Sequence, residues 1–183
     1  MNNPGIINRE KTAFVLVDIQ EKFIPVIEDI DTIISNSNIL INAAEILNIP
    51  LLITEQYPGG PGKTSNKINL PDKKYLIEKI SFSCFDCEEF VKKINELNVN
   101  SIVLFGVESQ VCILKTALDA LKNNYEVHVV ADAISSRTKN NKLTAIERMR
   151  QSGVFIVSTE MLLFQLIDKA GTEEFKLISK LIK

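Results

Sequence analysis

The strongest constraint on the fold of this sequence is a regular alternation between short apolar runs and longer segments with helical spacing. Six runs have strand length and are rich in β-branched residues. They are Thr12–Asp18, Pro50–Thr54, Tyr75–Lys79, Ser101–Gly106, Glu126–Ala131 and Val154–Ser158. Strands that are almost continuously apolar and alternate with helices are typical of a parallel sheet with both faces covered. The pattern therefore predicts a doubly wound α/β fold of three layers, with a six-stranded parallel sheet between two layers of helices.

The segments between these runs predict the helices and the domain organisation. Apolar residues recur at helical spacing in the ranges 33–47, 90–97, 111–121, 142–151, 159–169 and 172–182. With 183 residues, 45% of them hydrophobic, the chain can bury one sizeable core, and no linker divides it. We therefore predict a single domain over residues 1–183, with the strand order 3-2-1-4-5-6 of many doubly wound sheets.

The distribution of charge argues against nucleic acid as a partner. Lysine and arginine total 21, aspartate and glutamate total 23, and the lysines are interspersed with acids rather than forming a basic stripe. The N-terminal residues lack the apolar core of a secretory signal, and no run reaches the roughly 18 apolar residues that span a membrane. Three cysteines, an odd number, do not form a disulfide framework. We expect a cytoplasmic protein with reduced thiols and no membrane partner.

One segment interrupts the alternation. Residues 55–71 are dense in glycine and proline, which predicts a long irregular loop after the second strand. Ligands of open α/β sheets bind beyond the carboxyl ends of the strands, where this loop starts. We expect the loop to line or cover a pocket, and a surface connection without a role in binding is the alternative.

Three chemically capable side chains lie at or just beyond carboxyl ends of predicted strands. Asp18 ends the first strand, Lys79 ends the third, and Cys112 follows the fourth after a short turn. In the predicted order the first and fourth strands are neighbours, so Asp18 and Cys112 can meet, and Lys79 approaches from the flank. Each residue alone also has a structural interpretation, as a turn residue, a solvated charge and a small buried hydrophobe respectively.

The surroundings of Cys112 predict an activated thiol. The residue lies near the start of a helix predicted from about Gln110, where free backbone N–H groups favour an anion and lower a thiol pKa. An ammonium from Lys79 lowers that pKa further, whereas the Asp18 carboxylate opposes this effect and can accept the proton. Histidine is not expected in this role, because the sole histidine, His128, falls inside the fifth strand and is predicted to lie in the core or on a sheet face.

Five ordered segments resemble the isochorismatase-like hydrolases. They are Val17–Phe23, Thr54–Pro58, Glu78–Ser83, Gly106–Cys112 and Ala131–Arg137. The likeness runs from about Thr12 to the C-terminus and is greatest to the branch of isochorismatase domain-containing proteins. The resemblance implies a Rossmann-like six-stranded parallel sheet.

The resemblance also implies the roles of individual residues. Asp18, Lys79 and Cys112 match the family's catalytic triad. The family has a cis peptide that falls between Val107 and Glu108 in this sequence, so that the amides of Glu108 and Cys112 form an oxyanion hole. The family's nicotinamidases carry an Asp-x-His-x-x-His metal site, which a chain with one histidine cannot supply. We therefore expect no metal and no other cofactor.

The cysteine at position 112 predicts the reaction. A nucleophilic thiol points to cleavage of a C–N bond in a small amide or ureido compound through a thioester. Two alternatives stay open. The true isochorismatases hydrolyse a vinyl ether and do not use a cysteine at this place, and a protein of this fold can also serve as an oligomeric scaffold or binding partner without turnover.

Further residues are candidates for the pocket or for other chemistry. The candidate pocket wall consists of Gln20, Phe23, Tyr57 and Phe82, and Asp132 and Arg137 either touch the site or form a turn and cap. Cys84 and Cys87 form a Cys-x-x-Cys pair, for which redox chemistry is the alternative to an ordinary place beside a helix cap. The C-terminal segment 161–182 has more apolar residues than one helix face needs, so we expect a homo-oligomer.

Overall fold

The computed structural model describes residues 4–183, and the six predicted strands form one parallel sheet. They are β1 (Thr12–Val17), β2 (Leu51–Gln56), β3 (Tyr75–Lys79), β4 (Ser101–Val107), β5 (Glu126–Ser135) and β6 (Phe155–Val157). Every neighbouring pair is parallel, in the order β3-β2-β1-β4-β5-β6. The predicted fold class and strand order are confirmed.

Six α-helices cover the two faces of the sheet. They are α1 (Ile30–Ile46), α2 (Glu88–Glu96), α3 (Leu114–Lys122), α4 (Lys139–Gln151), α5 (Thr159–Leu166) and α6 (Glu173–Leu181). Because strand side chains alternate between faces, Phe14 and Leu16 of β1 belong to a core with α1, α5 and α6, whereas Val15 and Val17 belong to a core with α2, α3 and α4. The molecule therefore has the three predicted layers. No helix among the described residues is long and apolar enough to span a membrane.

β5 differs most from its prediction. It continues to Ser135, four residues past the predicted end, because the register shifts between the Leu104 and Gly106 pairings and resumes at Ile134. Asp132, the first polar residue after the predicted strand, lies within this irregular part of β5. The side chain of Asp132 accepts hydrogen bonds from the amide and hydroxyl of Thr159, at 2.8 and 2.9 Å, so that it caps α5. Of the two interpretations of Asp132, the structure supports the cap.

A glycine allows the two central strands to approach closely where the site begins. Gly106 of β4 has a φ of 119°, and a Cβ atom added to it would lie 2.1 Å from the carbonyl oxygen of Val17. Only glycine fits this position, because both the backbone angle and the space exclude a side chain. The carboxyl ends of β1 and β4 are thereby held together, directly before Asp18 and Glu108.

Candidate functional site

The predicted meeting of Asp18 and Lys79 is present in the structure. Asp18 follows β1 in the left-handed region, with a φ of 53°, and its carboxylate Oδ2 lies 2.7 Å from Nζ of Lys79. Both side chains are fully buried. The second carboxylate oxygen, Oδ1, accepts a hydrogen bond of 2.7 Å from the hydroxyl of Thr54 on β2, the strand between them. The site therefore contains a buried ion pair that spans three neighbouring strands.

All three N–H donors of the Lys79 ammonium have acceptors. They are Asp18 Oδ2 at 2.7 Å, Oε1 of Gln56 at 2.8 Å and the carbonyl oxygen of Ser81 at 3.3 Å. Burial by itself lowers the pKa of Lys79, but the nearby Asp18 carboxylate outweighs it, so the pKa is raised. Lys79 is therefore a saturated cation, which acts on its surroundings by charge and by holding its acceptors.

Of the two competing charges beside Cys112, the Asp18 carboxylate affects the thiol pKa more than the Lys79 ammonium. Burial and the negative charge of Asp18 raise the pKa of the Cys112 thiol, and the charge of Lys79 only partly opposes them. Cys112 lies in a π-helical turn, Ser109–Ile113, and α3 begins only at Leu114, later than the predicted helix start near Gln110. The thiol therefore keeps its proton at rest and needs a base beside it in order to react.

Cys112 lies in the wall of an open cavity of about 580 Å³. The apolar side chains of the wall are Phe23, Val26, Pro61, Phe82 and Val111, and the remaining lining residues are Lys22, Gln56, Gly60, Glu108 and Arg137. Of the residues proposed for the pocket wall, Phe23 and Phe82 are in it. The cavity thus joins a thiol to mainly apolar walls, which suits a small molecule with an apolar body.

Gln20 and Tyr57 do not line this cavity, which corrects their predicted place. The buried Gln20 accepts a hydrogen bond from the amide of Gln56 at 2.8 Å, and donates to the carbonyl oxygens of Gln56 at 3.0 Å and of Gly62. Its side chain therefore fastens the loop after β2. Tyr57 has a φ of 37° and is 60% exposed, because the chain turns away from the cavity directly after Gln56.

The glycine- and proline-rich loop is a fixed part of the wall. Its backbone carbonyls at Pro61 and Lys63 accept hydrogen bonds of 2.9 and 3.0 Å from the amides of Lys22 and Glu21. The buried Glu55 carboxylate accepts from the amide and hydroxyl of Thr64, at 2.6 and 2.7 Å. The loop lines the pocket as expected from its position, through Gly60 and Pro61.

The turn after β4 contains the remaining polar groups. The peptide bond between Val107 and Glu108 is cis, at the position that the family resemblance implies. The Glu108 carboxylate accepts hydrogen bonds from the amide and Nε of Arg137, at 3.2 and 2.9 Å, and from Nε2 of Gln110, at 3.1 Å. This carboxylate ties the turn to the segment after β5, and it places Arg137 at the cavity.

Sequence reasoning assigned no role to two residues of the site, Thr54 and Gln56. Both lie on β2, which supplies no member of the predicted triad. Their position in the sequence could have indicated a role, because they lie at the carboxyl end of a strand, at the same edge of the sheet as Asp18 and Lys79. This indication is weak, because threonine is common in β-branched strands and glutamine is common before a loop.

The other titratable candidates lie apart from the cavity lining. His128 is fully buried, with Nε2 2.7 Å from Oε1 of Glu126 and its ring stacked on Phe155, and burial lowers its pKa. Cys84 and Cys87 are both free thiols, and burial raises the pKa of Cys84 to about 12. Within residues 4–183, no group of three or more His, Cys, Asp or Glu side chains is arranged to hold a metal ion.

Comparison with known proteins places these residues in a family. Residues 12–161 match the family model described as isochorismatase domain. A secreted isochorismatase effector of Phytophthora sojae is 42% identical over 185 residues, which cover 98% of this chain and 88% of the relative. The isochorismatase domain-containing protein 2A of Mus musculus is 40% identical over 183 residues, with coverage of 98% and 86%.

The similarity extends to solved structures. The MAR1 ribonuclease of Caenorhabditis elegans superposes with a TM-score of 0.91 at 35% sequence identity, and the match covers 96% of this chain and 91% of that one. The resemblance drawn from the five sequence segments is therefore confirmed over nearly the whole chain.

Proposed function

Because this chain belongs to the isochorismatase family of hydrolases, we propose that it is a cysteine hydrolase that cleaves a C–N bond of a small amide or ureide. The single observation that carries the proposal is the arrangement around the cavity. A thiol lies in the wall of a largely apolar cavity, beside a buried carboxylate that is paired with a saturated ammonium. This arrangement has a nucleophile, a base and a balancing charge without histidine.

The first half of the reaction forms a thioester. Asp18 takes the proton of the Cys112 thiol as the sulfur attacks the carbonyl carbon of the substrate, and the carbonyl becomes an oxyanion. The backbone amides of Glu108 and Cys112 are the proposed donors to this oxyanion. Collapse of the intermediate breaks the C–N bond, and Asp18 returns the proton to the leaving amine.

The second half releases the product. Asp18 removes a proton from a water molecule, which attacks the thioester carbonyl and gives a carboxylic acid or carbamic acid. The sulfur leaves and recovers the proton from Asp18, so that Cys112 and Asp18 regain their starting states. In both halves the role of Lys79 is electrostatic, because each of its N–H donors already has an acceptor in the protein.

A substrate panel with a matched pair of variants tests this proposal. The panel contains amides, ureides, isochorismate and, since one similar structure is named a ribonuclease, RNA. Cys112→Ala is compared with Cys87→Ala, which changes a thiol outside the cavity lining. We expect an amide or ureide to be hydrolysed by wild type and Cys87→Ala, and at least about 10³-fold more slowly by Cys112→Ala.

A covalent intermediate provides the second measurement. Mass spectrometry of acid-quenched reactions should show an acyl group on the peptide that contains Cys112. Full amide hydrolysis by Cys112→Ala would contradict the proposal. Turnover of isochorismate alone, at equal rates in both variants, would favour vinyl ether hydrolysis, and turnover of nothing on the panel would favour a scaffold.

The assembly and location of the protein are also proposals. Met161, Phe164 and Leu177 of the C-terminal helices are about half exposed, which is consistent with the predicted homo-oligomer. Size-exclusion chromatography with light scattering tests it, and the mass of one chain at all concentrations would exclude it. The cytoplasmic location stays a prediction that cell fractionation can check, since one relative is named a secreted effector.

A further inference from the structure

Strand β2 holds a hydroxyl in a place where an apolar side chain would pack equally well. Its sequence begins Leu51, Leu52 and Ile53, and Thr54 follows as a fully buried residue of the same β-branched shape as valine. A buried hydroxyl destabilises the fold unless it forms a hydrogen bond. The hydroxyl of Thr54 donates to Oδ1 of Asp18 at 2.7 Å.

The donor and acceptor of the Thr54–Asp18 hydrogen bond are determined by chemistry, and the backbones of the two residues hold it in place. An ionised carboxylate only accepts, so the hydroxyl proton of Thr54 points at Asp18. The backbones of the two residues are also joined. Thr54 pairs with Val17 in the sheet, and the carbonyl oxygen of Thr54 accepts a hydrogen bond of 3.2 Å from the backbone amide of Asp18. Lys79 donates to Oδ2 and Thr54 donates to Oδ1, so each oxygen of the carboxylate has at least one donor.

We propose that Thr54 is a positioning residue that stabilises the ionised form of Asp18 and orients its carboxylate for proton transfer from Cys112. The proposal rests on the proposed function for the role of Asp18 as base. A hydrogen bond to a charged group is stronger than one between neutral groups, so its loss should favour the protonated form of Asp18. The other titratable groups near Asp18 are Lys79, Cys84 and Cys112, and of these the Cys84 thiol also hydrogen-bonds to Thr54.

The test compares three variants by a measurement that needs no substrate. Thr54→Val removes the hydroxyl, Thr54→Ser keeps it, and Thr12→Val removes a buried hydroxyl that donates to the backbone oxygen of Asn8 at the opposite end of β1. NMR of protein labelled with carboxyl-¹³C aspartate follows the ionisation of Asp18, whose signal is the one missing from Asp18→Asn.

We expect the midpoint of the Asp18 carboxyl signal to move to higher pH in Thr54→Val, and to stay at the wild-type value in Thr54→Ser and Thr12→Val. The acid limb of the pH–rate profile, once a substrate is known, should move in the same direction. If Thr54→Val does not fold, Thr54→Cys has a weaker donor and should give a smaller shift of the same sign. An unchanged midpoint in folded Thr54→Val, or an equal shift in Thr54→Ser, would overturn the proposal. Because the midpoint is measured without turnover, this outcome is independent of whether Cys112 hydrolyses an amide.

Discussion

The Cys112 thiol keeps its proton because it is buried beside the Asp18 carboxylate, and this makes an unusual response to mutation predictable. Asp18→Asn removes the negative charge at constant size and leaves the Lys79 ammonium near the sulfur. The pKa of Cys112 should then fall, and its alkylation by iodoacetamide at pH 7 should become about tenfold faster or more. Hydrolysis should instead fall at least about 100-fold, because the proton acceptor is lost.

Mass spectrometry of the alkylated peptides measures the alkylation rate of Cys112, with Cys87 in the same sample as the reference thiol. The rate of hydrolysis is measured with the best substrate of the panel. Slower alkylation of Cys112 in Asp18→Asn would show that Asp18 does not hold the thiol in its protonated form.

At the scale of the element, the close approach of β1 and β4 depends on Gly106. Gly106→Ala requires a left-handed φ of 119° and places a Cβ 2.1 Å from the Val17 carbonyl oxygen, so the two strands must separate beside the site. We expect a loss of roughly 3 kcal/mol or more in the free energy of unfolding, measured with urea.

Gly153 supplies the matched control, because it has a φ of 97° but no atom within 4 Å of an added Cβ. Gly153→Ala should cost only about 1 kcal/mol, from the backbone angle alone. Equal losses in the two variants would mean that strand contact adds nothing at Gly106.

For the whole molecule, burial of Cys84 links stability to alkaline pH. Its pKa is about 12 in the folded protein, against an ordinary value of 9.0. A raised folded pKa means that the unfolded chain loses the proton first. The stabilisation is therefore fully present below pH 9 and is lost as the pH rises toward 12.

The linkage predicts a difference between variants. Between pH 8 and pH 10, the contribution of Cys84 to the free energy of unfolding should fall by an amount on the order of 1 kcal/mol. The Cys84→Ala variant should not show this part of the decrease in stability. Urea unfolding of wild type, Cys84→Ala and Cys87→Ala at both pH values checks it. The raised pKa of Cys112 acts with the same sign in all three proteins. If Cys84→Ala loses as much stability as wild type, Cys84 does not stay protonated in the folded protein.

The sequence by itself determined the sheet, the strand order and the edge of the sheet at which the candidate site lies. These features follow from local patterns, because apolar runs of strand length and amphipathic crossovers have few ways to bury their faces together. For the same reason the proximity of Asp18 and Lys79 could be predicted, since each lies at the end of a strand and parallel strands bring such ends to one edge.

Only the tertiary structure decided the protonation of Cys112 and the partners of the ion pair. A thiol pKa depends on burial and on the distances to charges, which are set by contacts between residues far apart in the chain. Thr54 and Gln56 are hydrogen-bond partners of Asp18 and Lys79 because β2 lies between β1 and β3 in the folded sheet. Likewise Gln20 fastens the loop instead of lining the pocket, because the direction of a side chain is decided by the hydrogen bonds available where it lies.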